Sequence, residues 1–465
     1  MNYNKVLVIG LDCLAPQLAF EEYIDEMPNL KYLKEHGLWG ELESTDPPIT
    51  IPAWMVMATS KDPGMLGAYG FRHRQNFSYD KAWIANSQSF KEETVWDHIA
   101  DHNKKTCLVG LPPSYPPKPI NGWRIGCFLT PGIKSKFTYP EQLAKEVLEI
   151  APNYLFDVNF RTDSRDDLLA ELYSMTKERF KVLRYLIKNK PWELFWFVEI
   201  GTDRIHHAFW KYIDAEHPFY EEGNRYQYVI RDYYKYIDEE IGSLLQLIDH
   251  ETAVMIVSDH GAKGMKGAFC INQWLCEQGY LVFEENPIQG TSIEKCKIDW
   301  EKTTAWAWGG YYARIFINVK DREQHGIVLQ EQYEKVRNEL SEALCTIKDH
   351  KGNLMDTKVF KPEELYRQSR GDAPDLMVYF DNLSWRSAGT VGWDSLYLFE
   401  NDLGPDDAVH AKEGCFILYR ADQKSVSQKL EGTSIYDIAP TILELFGIEK
   451  PIDMEGNDIV QQSRR

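Results

Sequence analysis

The sequence predicts an α/β protein built on a doubly wound, mostly parallel sheet flanked by helices, with cap-forming insertions. Three observations lead there: short, near-continuous apolar runs, helical patterns between them, and a chain of 465 residues that no repeat or low-complexity linker divides. The first run, Lys5 to Leu11 (KVLVIGL), has the character of a strand covered on both faces. Thr106 to Gly110, Leu194 to Ile200, Ala253 to Ser258, Arg314 to Val319, Asp375 to Phe380 and Cys415 to Tyr419 read the same way, as members of one large sheet. Helical patterns lie between them at Met27 to His36, Ala53 to Thr59, Thr94 to His102, Pro140 to Ile150, Arg165 to Lys188, Tyr226 to Ile248, Leu329 to Ile347 and Ile435 to Leu445. We read residues 1–465 as a single catalytic domain, with insertions at about 113–190 and about 274–312 expected near the cleft at the strand ends.

Composition narrows the function. Apolar residues make up 43% and charged residues 26%, globular values that argue against disorder. With 52 Lys and Arg against 71 Asp and Glu, the net charge of −19 repels nucleic acid and anionic lipid, so no nucleic-acid partner is expected and an anionic substrate needs local positive charge. No apolar run reaches the roughly 18 residues of a membrane span, and Val6 to Leu11 ends at Asp12 before it forms a signal-peptide core; the expected location is the cytoplasm. The eight cysteines are scattered without a Cys-x-x-Cys pair, which indicates neither a disulfide framework nor a zinc ribbon.

Chemistry concentrates just beyond the predicted strands. Asp259 and His260, in Val257-Ser258-Asp259-His260-Gly261, follow an apolar run directly, and both are metal-ligand types suited to zinc or manganese. Asp203 and His207 lie i, i+4 in EIGTDRIHH, a spacing that puts carboxylate and imidazole on one face of a helix; the alternative is an N-cap Asp203 with two ordinary histidines. Asp12 ends the first run, as a ligand residue or a turn carboxylate. Thr50 precedes Ile51-Pro52-Ala53, where proline near the first helical position places the hydroxyl at a helix N-terminus. There it is either an N-cap or a nucleophile whose alkoxide the helix dipole and a metal stabilise. His410 stands before the run Cys415 to Tyr419 and is weak evidence alone.

Taken together, Asp12, Thr50, Asp203/His207, Asp259-His260 and His410 occur in an order that resembles the alkaline phosphatase superfamily. The likeness is greatest to the type I phosphodiesterase and nucleotide pyrophosphatase branch and its relatives described as phosphohydrolases or phosphomutases. KVLVIGLD, TIPAW with MATSKDPGMLGAYGF, EIGTDRIHH, IVSDHGAKG, FCINQWLCEQGYL, ARIFINVKDREQHGIV, DAPDLMVYF, VHAKEGCFILYR and SIYDIAPTILELFGI carry the resemblance over nearly the whole chain. It implies an alkaline-phosphatase-like fold and two divalent metal ions, zinc before manganese, one held by Asp203, His207 and His410 and the other by Asp12, Asp259 and His260. Thr50 would be the nucleophile between them. The implied function is metal-dependent hydrolysis of a phosphodiester or pyrophosphate bond in a small phosphoester or nucleotide-like substrate, through a phospho-threonine intermediate.

One feature departs from that pattern. The branch carries an asparagine some twenty residues after the nucleophile, where this chain reads Gly67-Ala68-Tyr69-Gly70-Phe71-Arg72-His73-Arg74. Arg72, His73 and Arg74, with Lys263 and Lys266 after the Asp-His pair, are the candidate substrate-binding residues in its place. A phosphomutase or phosphomonoesterase on the same core, and a non-catalytic binding protein, are the alternatives. The aromatic stretch Trp306 to Tyr312 either stacks a base or sugar or packs within the protein. Leaving group and oligomeric state are not specified at this level.

Overall fold

The run Lys5–Leu11 forms the centre of a nine-stranded sheet because both of its faces are covered. Leu7, Ile9 and Leu11 enter one apolar cluster and Val6 and Val8 the opposite one, the alternation that a two-residue strand period dictates. The computed structural model describes residues 3–421 and 427–463. Across the sheet the strands lie in the order Gln428–Lys429, Gly37–Glu43, Glu413–Tyr419, Thr252–Val257, Lys5–Leu11, Leu194–Glu199, Thr106–Val109, Gly122–Ile125 and Thr138–Tyr139. The five from Thr252–Val257 to Gly122–Ile125 are parallel, and Glu413–Tyr419 and Thr138–Tyr139 pair antiparallel on either side of them.

Helices cover both faces. Pro28–Glu35, Arg165–Asn189 and Val229–Leu245 pack on the first cluster, while Thr50–Thr59, Val95–Asp101 and Ile438–Leu445 pack on the second. Among the described residues no helix is long and apolar enough to cross a membrane.

Two of the expected strands lie elsewhere. Arg314 to Val319 and Asp375 to Phe380 correspond to Ala313–Ile317 and Leu376–Tyr379, which join Ala305–Trp308 and Lys358–Phe360 in a separate antiparallel sheet. That sheet, with the helices Ile271–Glu277 and Tyr333–Leu344, encloses its own apolar core. An apolar run reports that a strand is covered and carries no record of which sheet covers it. The region 274–312 falls inside this smaller lobe. Residues 113–190 instead supply Gly122–Ile125 and Thr138–Tyr139 at one edge of the main sheet, together with the long helix Arg165–Asn189.

Candidate active site

Strand direction explains why distant residues meet. Asp12, Asp203 and Asp259 follow the ends of the parallel strands Lys5–Leu11, Leu194–Glu199 and Thr252–Val257. Glu413–Tyr419 runs antiparallel to Thr252–Val257, so its start lies at the same edge and delivers His410 there. Gly37–Glu43 is antiparallel to Glu413–Tyr419 in turn, so its end also lies at that edge, and the loop after it brings in Thr50, the first residue of the helix Thr50–Thr59. The carboxyl edge of an open α/β sheet is where such folds bind ligands.

The six expected ligand residues and Thr50 all converge, each buried. Two groups form, Asp203 with His260 and His410, and Asp12 with Asp259 and His260; in each, one ligand atom per residue lies within 4.8 Å of the others, so His260 takes the place expected for His207 in the first group and His207 belongs to neither. His260 Nε2 is 3.2 Å from Asp259 Oδ2, 3.8 Å from Asp12 Oδ1 and 3.4 Å from Thr50 Oγ1, so it stands between both groups. His207 Nε2 lies 3.2 Å from Asp203 Oδ1, as the i, i+4 spacing requires, and His410 Nε2 lies 3.9 Å from the same oxygen.

Neighbouring residues fix these side chains. Trp54 Nε1, one helical turn after Thr50, donates to Asp12 Oδ2 at 2.8 Å. Cys13 turns through a left-handed φ of 64°, and its N–H donates to Asp259 Oδ1 at 3.1 Å. His410 Nδ1 lies 2.7 Å from the Pro48 carbonyl, and His207 Nδ1 lies 2.7 Å from Asp406 Oδ1, which directs each Nε2 inward.

The charges fit a cation. Among the described residues Asp12 Oδ1 and Asp259 Oδ2 are buried without a hydrogen-bond partner. Burial, then the Asp203 charge, pushes the Asp12 carboxyl well above its usual value; burial and Asp12 do the same to Asp259. Burial also raises Asp203, but His207 and Arg204 outweigh it and hold that carboxyl well below the usual range. His260 is pushed down to about 4 by burial, and its ring stacks on His410 at 3.8 Å. Burial also lowers His410, whereas Tyr311, Asp406 and Asp203 outweigh burial and raise His207 well above its usual value. Imidazoles beside crowded carboxylates are the donor set that zinc or manganese takes.

A cavity of about 530 Å³ opens over this cluster, with Thr50, Asp203 and His410 in its wall. Phe128, Phe160 and Arg161 close one side and residues of the smaller lobe, including Tyr311, Tyr312, Arg314 and Arg386, the other. Tyr311 stacks on His410 at 4.0 Å, whereas Trp306 and Trp308 of the same aromatic stretch are buried in the lobe's core.

Of the candidate substrate-binding residues, Arg72 alone lines the cavity, paired with Glu294 and lying over Trp308 at 4.3 Å. His73 is buried against Trp83 at 4.2 Å, and its Nε2 accepts from the Tyr69 N–H at 2.9 Å. Arg74 is buried in an ion pair with Glu323 at 3.1 Å. Lys263 bonds the Asn382 carbonyl and Lys266 pairs with Asp381 at 2.8 Å, both away from the cavity. Sequence reasoning missed Arg161, Arg204, Arg314, Arg386 and Asp406, which surround the site. The adjacent acids Asp406-Asp407, just before His410, were the one available signal for them.

No curated protein matches the chain in sequence. Among solved structures, human ectonucleotide pyrophosphatase / phosphodiesterase 5 is similar with a TM-score of 0.57 at 13% identity over 98% of both chains. An inactive murine form of the same protein, in complex with AMP, gives a TM-score of 0.57 at 12% identity over 99% of both. These likenesses establish the alkaline-phosphatase-like fold. The family model for type I phosphodiesterase / nucleotide pyrophosphatase matches residues 6–406, and the chain therefore belongs to that family of hydrolases.

Proposed function

We propose that this hydrolase cleaves a phosphodiester or pyrophosphate bond in a nucleotide-like small molecule, with Thr50 as the nucleophile and a phospho-threonine intermediate. One observation carries the reading: the Thr50 hydroxyl lies 3.4 Å from His260 Nε2, where the two carboxylate and imidazole groups meet, in the wall of the cavity. Asp203, His207 and His410 would hold one divalent cation and Asp12, Asp259 and His260 the other, zinc before manganese. Such a pair supplies positive charge that lowers the pKa of a hydroxyl or water and neutralises phosphoryl oxygens.

The chain's own residues then do the following. Thr50 begins the helix Thr50–Thr59, whose N-terminal dipole favours negative charge on Oγ1. Oγ1 releases its proton to solvent and bonds to phosphorus as the bond to the leaving oxygen breaks, and the leaving group takes a proton from solvent. Water then attacks phosphorus and frees the Thr50 hydroxyl. Arg72, Arg161 and Arg314 in the cavity wall offer donors to anionic oxygens where the branch's usual asparagine is missing. Phe160, Tyr311 and Tyr312 offer ring faces to a base.

Thr50→Ala tests the nucleophile. Turnover of a phosphodiester, a dinucleoside pyrophosphate and a monoester should all be lost while bound metal, measured by elemental analysis, is retained. Brief reaction of the unchanged enzyme with a phosphorus-labelled substrate should leave label on Thr50. Substantial residual activity in the variant would refute the assignment.

A further inference from the structure

A second cavity, of about 190 Å³, opens between the helix Val95–Asp101, the strand Gly122–Ile125 and the proline-rich loop 112–119. It shares no lining residue with the catalytic cavity. Its wall includes Arg124, which is only 5% exposed. Among the described residues that guanidinium has no hydrogen bond or ion pair, Nε is buried without a partner, and its neighbour is the Trp96 ring at 5.7 Å. The buried Ser114 Oγ in the same wall has no oxygen or nitrogen partner among the described residues and neighbours only the Cys127 thiol. Lys118 completes the group and donates one bond, to the Phe90 carbonyl at 2.9 Å, which leaves two N–H donors.

The carboxylates around the cavity do not neutralise these cations. Glu92 is held by Lys61 and Arg370, and Asp97 accepts from the N–H and hydroxyl of Thr94. Asp97 favours the charged forms of both Arg124 and Lys118, though it forms an ion pair with neither, and Glu93 is exposed. A buried guanidinium without a partner is expensive, and a second cation beside it adds repulsion. Burial lowers Arg124 to about 10; burial and then the Arg124 charge lower Lys118. An oxyanion between the two relieves both costs.

We propose that this cavity is a second ligand site, which binds a small tetrahedral oxyanion of the phosphate class through Arg124, Lys118 and the Ser114 hydroxyl. The guanidinium fork and the ammonium supply charge-assisted bonds, and the hydroxyl adds a neutral donor. It is independent of the catalytic assignment above.

Thermal unfolding with and without inorganic phosphate tests it on the metal-loaded enzyme. About 10 mM phosphate should raise the Tm of the unchanged protein by roughly 2 °C or more. Arg124→Met should lose most of that rise, and in phosphate-free buffer it should be at least as stable as the unchanged protein, because an apolar stem replaces an unpaired charge. Lys118→Gln, nearer the surface, should weaken phosphate binding about tenfold by calorimetry. A rise of equal size in the unchanged protein and both cavity variants would place the anion elsewhere and overturn the proposal, as would no rise in any of them.

Discussion

His207 Nδ1 lies 2.7 Å from Asp406 Oδ1, while Asp406 Oδ2 accepts from Arg161 Nη2 at 3.0 Å and from Arg386. The carboxylate therefore holds the imidazole with Nε2 toward Asp203 and is itself held from behind. Asp406→Asn keeps the shape but removes the charge, and its amide turns an N–H toward two guanidinium groups. Metal affinity should fall about 10–100-fold, as for other partners of metal-binding imidazoles. Competition against a chromophoric chelator checks this directly. Unchanged affinity would show that the Ala408 carbonyl, 3.1 Å from the same nitrogen, is sufficient.

Gly10 governs how Trp54 reaches Asp12. A Cβ at position 10 would lie 2.6 Å from Trp54 Cη2, 2.8 Å from the Phe197 carbonyl oxygen and 2.9 Å from Val198 Cγ2. None of these atoms belongs to a flexible surface chain, so Gly10→Ala should cost about 1–3 kcal/mol by overpacking. The displaced indole should also loosen its 2.8 Å bond to Asp12. Denaturant unfolding reads the stability. Adding Trp54→Phe, which shortens the ring, should recover part of the loss, a non-additivity expected of residues in contact.

His73 makes the stability of the cavity wall sensitive to acid. Burial, then the charge of Arg314, lowers it from 6.5 to about 3, and its Nε2 must stay unprotonated to accept from the Tyr69 N–H. The unfolded chain binds this proton first, so its contribution is complete above pH 6.5 and is lost as pH falls from 6.5 toward 3. The slope in that window is at most about 1.4 kcal/mol per pH unit. His73→Gln retains an acceptor and cannot titrate. Its unfolding midpoint should fall less steeply below pH 6 than that of the unchanged protein; parallel curves would contradict the assignment.

The parts legible in the sequence are those that local chemistry fixes. Lys5–Leu11, Leu194–Glu199 and Thr252–Val257 are apolar on both faces because helices cover both, and Asp12, Asp203 and Asp259 follow them immediately. His410 is different: it lies in the short strand Ala408–Ala411, opposite Ala262 of the antiparallel strand Gly261–Gly264, and the strand that follows it, Glu413–Tyr419, runs antiparallel to its neighbour in the main sheet. Direction is a tertiary property, so its place rested on the family resemblance. Arg314 reads as the polar start of a strand, and its place in the cavity wall depends on the smaller lobe folding over the sheet edge. Asp406 touches His207 across 199 residues of chain, which no local pattern encodes.

Arg72 and Arg74 lie two residues apart in one short strand and so point the same way, toward the smaller lobe. Arg72 lies over Trp308 at 4.3 Å at the cavity, and Arg74 over Trp306 at 4.8 Å, deeper in the lobe. Their substitutions should separate. Arg72 is about a third exposed, so Arg72→Ala should cost little stability. It should instead raise KM for an anionic substrate roughly tenfold through a lost charge-assisted bond. Arg74→Met should leave KM nearly unchanged. Glu323, fully buried, would then keep only Arg322 and the Val319 N–H, and the loss should be about 3 kcal/mol, the lower end for breaking a buried pair. Steady-state kinetics and denaturant unfolding on both variants check the pair. If Arg74→Met raised KM without loss of stability, the arginine would be reaching the substrate after all.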